Sequence, residues 1–263
     1  MEFPIVNLTD SSIEHVYLQF DHYSEYDGAY SGYRRNNNMD NIQIMSRGSN
    51  DPAVMGDYGK IAPGQGMIIS NSFINGSDSG IVLNGDTYGD ITNVEINDPT
   101  LVGLETDGYN VMDIDGLTVT DSLGSASSSA NGILIRSTAS GTQNIKNSAF
   151  TGLLTAISIN NDVSTDIKTT DITDCAKGIT TGSQSGASYF FDTVDMDTVG
   201  LGVHSRGSGE LVMKDSDIDS SGLSIDIDGS GDVTFLDGDV DVNKVDVSGT
   251  GVFNRDRSYY AVL

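Results

Sequence analysis

Two short motifs repeat together along most of the chain, and this repetition constrains the fold more than any other feature of the sequence. The first motif is a small residue followed by alternating apolar and polar residues, and the second ends on an apolar residue. Both recur about every 22 residues, and both intervals lengthen at residues 122–131, a Ser-, Gly- and Ala-rich segment that predicts an inserted loop. The first motif begins at Gly80, Gly103, Gly132, Ala156, Gly178, Gly202, Ser224 and, with a larger residue, Lys244, and the second ends at Ile74, Ile96, Val119, Phe150, Ile172, Met196, Ile218 and Val240.

Alternation with a period of two predicts short β-strands, joined here by turns of Gly, Asp, Asn and Ser. Strands this short do not form a sheet alone, whereas stacked repeats bury one continuous core. We therefore predict an all-β fold, a single right-handed parallel β-helix of about nine or ten coils of about 22 residues. The long period excludes a left-handed helix of hexapeptide repeats.

The repeats resemble the PbH1-type repeats of the pectin-lyase-like superfamily of right-handed parallel β-helix proteins, over about residues 67–250. Residues 1–66 are expected to form N-terminal coils or a cap with a Tyr-rich insertion at residues 21–38, and residues 251–263 a C-terminal strand or cap. An open end of a solenoid exposes strand edges and core. We therefore expect a homo-oligomer or flanking domains to cover the ends.

The charge of the chain excludes several classes of protein. It carries 38 acidic and 13 basic residues, for a formal net charge of −25, and 32 of the acids are Asp. The lack of a basic stripe excludes a nucleic-acid-binding protein and disfavours binding to an anionic membrane. No apolar segment is long enough to span a bilayer, and the N-terminus lacks the features of a signal peptide. An excess of Asp with few Lys is typical of a salt-adapted protein, and the single cysteine, Cys175, is expected to be a small buried hydrophobe.

Alternation sends every second side chain of the second motif outward, and these outward positions become acidic in the last three coils. We predict a two-by-three array of carboxylates on one flat face, formed by Asp195, Asp197, Asp217, Asp219, Asp239 and Asp241. A solvated acidic face is one interpretation, and a Ca²⁺ site is the alternative because hard cations bind clustered carboxylates. The spacing of Asp226, Asp228, Ser230, Gly231 and Asp237 also matches an EF-hand loop, although it lies between strands, where a plain Gly/Asp turn is the other interpretation.

The outward positions of the first motif are polar and mixed in charge. They include Glu105, Asp107, Arg136, Asn160, Thr180, His204, Arg206, Asp226 and Asp228. Stacking is expected to place Asp107 beside Arg136, and His204 with Arg206 beside the two aspartates of the next coil. This pattern resembles the polar groove in which β-helix enzymes bind polysaccharide.

Three hypotheses for these outward residues stay open. A glycan-binding surface would be formed by Glu105, Asp107, Arg136, Asn160, His204 and Arg206. An enzyme site would use Asp107, Arg136, His204 and Asp228 for acid–base chemistry on a polysaccharide. The third hypothesis is that these residues form cross-coil ion pairs and do no chemistry.

The sequence holds no complete catalytic set, so the leading expectation is a non-enzymatic structural or adhesion rod from a salt-adapted microbe or its virus. A polysaccharide lyase or glycoside hydrolase of the pectin-lyase-like fold and a Ca²⁺-dependent assembly module are the alternatives. We expect no required cofactor, with Ca²⁺ as the candidate ion, and a glycan or a cell-surface or virion assembly as the partner. The expected location is extracellular, at the cell surface or in a virion.

Overall fold

The structure is a computed structural model that describes residues 7–14, 18–22, 35–45, 52–58, 65–85, 87–107, 110–136, 141–160, 163–182 and 187–256. Most of the expected Tyr-rich insertion and residues 257–263 of the expected C-terminal strand lie outside these ranges. The described strands, numbered in chain order, are β1 (Asn7–Glu14), β2 (Leu18–His22), β3 (Arg35–Met45), β4 (Pro52–Tyr58), β5 (Gln65–Asn75), β6 (Ser79–Gly85), β7 (Thr87–Asn97), β8 (Val102–Asp107), β9 (Asn110–Thr120), β10 (Asn131–Ile135), β11 (Thr142–Lys146), β12 (Ala149–Thr151), β13 (Thr155–Ile159), β14 (Ser164–Thr173), β15 (Lys177–Thr181), β16 (Ser188–Val199), β17 (Leu201–Ser205), β18 (Glu210–Ser220), β19 (Ile225–Ile227), β20 (Val233–Val240), β21 (Val245–Val247) and β22 (Phe253–Asp256). A 3-10 helix at Val242–Lys244 precedes β21. Among the described residues no helix has the length and apolar character needed to cross a membrane.

The strands form two parallel sheets, and each coil contributes to both of them, so the predicted parallel β-helix is confirmed. The long-strand sheet has the order β1-β3-β5-β7-β9-β11-β14-β16-β18-β20-β22, with β12 beside β9 and β14. The short-strand sheet has the order β2-β4-β6-β8-β10-β13-β15-β17-β19-β21. At about 4.8 Å between strands, the short-strand sheet extends about 43 Å along the solenoid axis. Strands β1–β4 continue the same two sheets toward the N-terminus.

Alternation fills the interior with apolar side chains, as the repeat predicts. The apolar residues that end the second motif pair from coil to coil and form one buried column, Ile74, Ile96, Val119, Phe150, Ile172, Met196, Ile218 and Val240. The small residue of the first motif has a steric cause. A Cβ on Gly132 would lie 2.5 Å from the Ala156 carbonyl oxygen and 2.5 Å from Phe150 Cδ1. The backbone passes too close to the next coil and to the core for a side chain to fit.

The long-strand sheet bends in each coil from β5 to β20 at a residue in the left-handed region, which makes a corner of the solenoid; in most coils this residue lies within the strand, and between β11 and β12 it separates two strands. This corner column has positive φ at Asn71, Asn93, Gly116, Asn147, Thr169, Thr193, Asp215 and Asp237. Asn and Asp tolerate this conformation because their short polar side chains form local hydrogen bonds. Asn93 Nδ2, for example, donates to Asn71 Oδ1 at 2.8 Å. Thr169 and Thr193 are β-branched, so the same conformation strains them.

The predicted inserted loop is confirmed between β9 and β10, and side-chain hydrogen bonds fix it to its neighbours. The Ser122 amide donates to Asp98 Oδ1 at 2.8 Å, and Ser129 Oγ donates to the Thr100 carbonyl at 2.9 Å. Both acceptors lie in the preceding coil. On the other side, Ser125 Oγ donates to Asp174 Oδ1 at 3.2 Å. The loop is therefore held against coils on both sides.

Candidate functional site

The outer face of the short-strand sheet becomes polar in the coils of β13, β15, β17 and β19. One outward position runs from coil to coil as Val82, Glu105, Leu134, Ser158, Thr180, His204, Asp226 and Asp246. Thr180 Oγ1 donates to Ser158 Oγ at 3.2 Å, and Ser158 Oγ donates to Asn160 Oδ1 at 3.4 Å. We call the surface formed by Ser158, Asn160, Thr180, His204, Arg206, Asp226 and Asp228 the polar face.

His204 lies within the polar face against two carboxylates of the next coil. Its Nε2 is 3.1 Å from Asp228 Oδ2 and 3.5 Å from Asp226 Oδ2. The side chains of His204 and Asp226 are 16% and 22% exposed, whereas that of Asp228 is 44% exposed. A carboxylate at this distance can orient an imidazole through a hydrogen bond. The contact ties two coils together, and it is also the arrangement in which a carboxylate orients a histidine base.

Arg206 reaches back across two coils of the polar face. Its Nε donates to the Thr181 carbonyl at 3.3 Å, and its Nη2 donates to Asn160 Oδ1 at 3.5 Å. Gly182 occupies the aligned position of the coil between them and has no side chain to block this path. We expected Arg206 to lie beside Asp226 and Asp228 of the next coil. Its hydrogen bonds are to the two preceding coils instead, because the side chain extends away from the coil of these aspartates.

Arg136 pairs with Glu105 of the preceding coil. Its Nε donates to Glu105 Oε1 at 2.6 Å and its Nη2 to Oε2 at 3.0 Å. The hydrogen bond to Glu105 is the largest cause that raises the pKa of Arg136, while the charge of Asp107 acts in the same direction. The expected neighbour Asp107 is therefore close enough to influence Arg136, but Glu105 takes the hydrogen bonds.

The four residues of the enzyme hypothesis do not lie in one place. Arg136 is aligned with Asn160, Gly182 and Arg206 in the coils that follow, so three coils separate Arg136 from the strand of His204. Three coils correspond to about 14 Å. Asp107 lies one coil further toward the N-terminus and Asp228 one coil further toward the C-terminus. A general acid and base must both reach the reacting atoms within hydrogen-bond distance.

An acidic column runs along the outer face of the long-strand sheet, beyond the bend in each strand. Asp171, Asp195, Asp217 and Asp239 pair on the consecutive strands β14, β16, β18 and β20, and all four are exposed. Partial burial raises the pKa of Asp195, and the charges of Asp217 and Asp171 raise it further. The Asp239 amide donates to Asp217 Oδ1 at 2.7 Å. The first column of the expected array is thus in register.

The second column of the expected array is not in register. The pairing of β16 with β18 shifts between Met196 and Val199, so one residue is extra beside Asp197. Asp241 instead caps the N-terminus of the 3-10 helix, where its Oδ1 accepts from the Asn243 amide at 3.0 Å. Within the described residues no three His, Cys, Asp or Glu side chains form a group that could hold a metal ion. The Ca²⁺ interpretation of the array stays a prediction without a coordinating geometry.

The EF-hand-like spacing is divided between the two sheets. Asp226 belongs to β19 in the short-strand sheet and contacts His204, whereas Asp237 lies at the corner column of the long-strand sheet. Gly229 and Gly231 form the tight connection between them. A Cβ on Gly231 would lie 2.0 Å from the Gly209 carbonyl oxygen, so this connection is a stacked glycine turn.

A ladder of lysines beside the corner column was not foreseen from the sequence. Lys146 Nζ lies 3.5 Å from Asp113 and 3.5 Å from Asp115, and these two charges raise the pKa of the lysine. Lys214 Nζ lies 2.8 Å from Asp215 and 3.6 Å from Asp192. The sequence signal that could have predicted this ladder is a 22-residue spacing, which separates Lys146 from Lys168 and Asp192 from Lys214.

Cys175 is buried, as expected, and burial raises the pKa of its thiol to about 11. A thiol with so high a pKa is almost fully protonated at neutral pH and is a poor nucleophile. The cysteine is therefore a core residue.

Comparisons with protein-family models, curated proteins and solved structures found no match to this chain.

Proposed function

We propose that this chain is a non-enzymatic structural rod that presents a carbohydrate-binding face, at a cell surface or in a virion of a salt-adapted source. The observation that carries the proposal is the separation of the charged candidates into distant pairs. Arg136 is paired with Glu105, and His204 is paired with Asp228 about 14 Å away. Each pair connects neighbouring coils, which suits a rod better than an active site.

Carbohydrate is the ligand class that the polar face suits best. Sugar hydroxyls donate and accept hydrogen bonds, and this face offers the amide of Asn160, the guanidinium of Arg206 and the carboxylate of Asp228, whereas the hydroxyls of Ser158 and Thr180 are buried and hydrogen-bond each other. Asn160, Arg206 and Asp228 occupy one aligned position over three coil spacings, or about 14 Å, so they suit an extended polymer. The resemblance of the repeats to the pectin-lyase-like superfamily supports the same ligand class.

A glycan array probed with the full chain, followed by calorimetric titration of the glycans that bind, tests this proposal. Asn160→Ala and Asp228→Asn are expected to weaken binding at least about tenfold, the loss of one or two hydrogen bonds to a ligand. Lys214→Gln on the long-strand sheet is the matched control and should bind as the unsubstituted chain does. Absence of binding across the array, or equal loss in the control, would overturn the assignment of the face.

A polysaccharide lyase or hydrolase is the second candidate function, and the contact between His204 and Asp228 favours it. A carboxylate that orients an imidazole is a common device in general base catalysis. Such an enzyme would act at the polar face alone, since Arg136 and Asp107 are too far away to take part. Turnover of a glycan that disappears in His204→Ala would support this candidate against the structural one.

A further inference from the structure

The last described coil, residues 241–256, is built differently from the coils before it, and we call it the end coil. The long strands shorten from eleven residues in β18 to eight in β20 and four in β22, and a 3-10 helix at Val242–Lys244 precedes β21. The core of the preceding coil is nevertheless sealed. Its inward side chains are 0% exposed at Ile225, Ile227, Val233 and Phe235. One short coil is therefore enough to close this end of the core.

Arg255 of the end coil stands in a column that is apolar and buried in the earlier coils. It pairs with Phe235, and the column runs back through Met213, Phe191, Ile167, Ile145, Ile114 and Ile91. In the end coil a guanidinium takes the place of this apolar side chain, and its Nη1 donates to the Val240 carbonyl at 3.3 Å. Val240 ends β20, so the arginine extends from the position beside Phe235 to the end of that strand.

Lys244 stands at the position of the first motif that carries a small residue in the earlier repeats. It precedes β21 as Ser224 precedes the partner strand β19. In the earlier coils the backbone of the following coil takes the space for a side chain, since a Cβ on Gly202 would lie 2.4 Å from the Ser224 carbonyl oxygen. In the end coil a lysine fills this position, and its Nζ donates to the Ser220 carbonyl. A further coil in the same register would have to displace the lysine.

We propose that the end coil is a cap that prevents a second copy of this chain, or a strand of another protein, from extending the two sheets at this end, and that Lys244 and Arg255 carry this role. The edge of a sheet exposes unpaired backbone groups that can template a further strand. Natural sheets block this pairing with short edge strands and with inward-pointing charged residues. The end coil has both of these features.

The charges of Lys244 and Arg255 supply the physical reason for the block. Both side chains donate to backbone carbonyls of the coil ends, and both residues remain partly exposed to water. A coil stacked on β21 and β22 would enclose the ammonium and the guanidinium. The cost of removing these charges from water exceeds the gain from a few backbone hydrogen bonds. In the preceding coil the same positions hold Ser224 and Phe235, which carry no charge and are fully buried.

The inference differs from the sequence-based expectation that a homo-oligomer or a flanking domain covers the open ends. Val247 and Val252 are exposed apolar side chains of the end coil. A standard interface buries roughly 800 Å² on each partner, and two valines provide far less. A stable contact at this end would need the strand pairing that Lys244 and Arg255 prevent.

Restoring the residue types of the preceding coil tests the proposal. The double variant of Lys244→Ser and Arg255→Phe removes both charges and is expected to associate end to end. Sedimentation velocity of the full chain in about 2 M KCl, which screens the charge of −25, should show an associated fraction at least about fivefold above that of the unsubstituted chain. The matched control combines Lys214→Ser and Lys146→Phe on the outer face of the long-strand sheet and should stay monomeric. Arg255→Phe alone replaces the double variant if circular dichroism shows that the latter is unfolded.

Cross-linking tests whether the association occurs at this end. Asn254 is exposed on β22, and Asn144 lies in the same outward column on β11, near the middle of the described solenoid. In the double variant, Asn254→Cys should oxidise to a covalent dimer and Asn144→Cys should not, and the buried Cys175 takes no part. A folded double variant that stays monomeric would overturn the proposal. So would equal association of the matched control, or efficient cross-linking through Asn254→Cys in the chain that keeps Lys244 and Arg255.

Discussion

Arg136 and Glu105 join two neighbouring coils through a pair of hydrogen bonds, of 2.6 Å and 3.0 Å, on the face where the enzyme hypothesis would place its catalytic residues. A double-mutant cycle of Arg136→Gln and Glu105→Gln should give a coupling free energy of about 1 kcal/mol, the upper range for an exposed pair because the contact is bidentate. Urea unfolding of the four proteins measures it. The cycle of Arg136→Gln with Asp107→Asn is the control, and a coupling as large as that with Glu105 would show that the pairing is wrong.

The corner column predicts stabilising substitutions. Thr169→Asn and Thr193→Asn should each raise the free energy of unfolding by about 1 kcal/mol, because a β-branched residue is strained at the observed φ of 49° and 58° and asparagine is not. The midpoint of urea unfolding reports the change. Thr170→Asn, a buried neighbour outside the column, should destabilise instead. If both Thr169→Asn and Thr193→Asn lower the free energy of unfolding, the inference that these threonines are strained is wrong.

The close contact of Gly132 with the next coil predicts that a substitution at this position destabilises the fold. Gly132→Ala would place Cβ against Phe150 and the Ala156 carbonyl, at a cost of about 1–3 kcal/mol, the usual range for overpacking. Gly116→Asn is the control, since the nearest atoms to its Cβ are at 3.5 Å and asparagine is common in that column. Thermal melts should therefore show a lower melting temperature for Gly132→Ala, and a smaller or opposite shift for Gly116→Asn. Equal behaviour would mean that the coils adapt to an added Cβ.

Stability should depend on pH through the acidic column. Because the pKa of Asp195 is higher in the folded chain, protonation of this group favours folding, and the contribution is lost as pH rises through its folded-state pKa. Asp195→Asn should raise the free energy of unfolding at pH 7 by up to about 0.5 kcal/mol, with little change below pH 3.8, where the group is protonated in both states. Urea unfolding between pH 3 and 7 tests this. Asp115→Asn, next to Lys146, is the control and should not stabilise. Burial is the largest cause of the raised pKa and salt screens only the charges of Asp217 and Asp171, so about 2 M KCl should reduce the gain at pH 7 without abolishing it; a gain that is equal at pH 3 and pH 7 would contradict the account.

Much of the fold follows from the spacing of the repeats. The 22-residue period placed Asp195, Asp217 and Asp239 in one column, because a parallel solenoid converts an equal spacing in sequence into stacking. The period could not reveal the extra residue between Met196 and Val199, since a bulge keeps the apolar pattern on both sides. The column of Asp197 and Asp219 was therefore expected to stack, and the register does not show it.

The contacts of long side chains were harder to predict than the stacking of the backbone. The repeat aligns Arg136 with Asp107 of the preceding coil. The guanidinium nevertheless extends along the sheet to Glu105, which lies two residues before Asp107 in the same strand. Arg206 likewise crosses the coil of Gly182 to reach Asn160, a path that depends on the missing side chain. Repeat alignment gives the position of a Cβ, and a flexible arginine can reach a partner one or two coils away.

We propose that the charged residues of the short-strand sheet connect coils and do not catalyse a reaction. The decisive measurement is the release of reducing ends or unsaturated uronides, made at high protein concentration over the glycans that bind. We expect binding without turnover for the unsubstituted chain, and a lowered melting temperature for His204→Ala because a tie between coils is lost. Turnover that exceeds the blank and disappears in His204→Ala, with the fold retained, would contradict it.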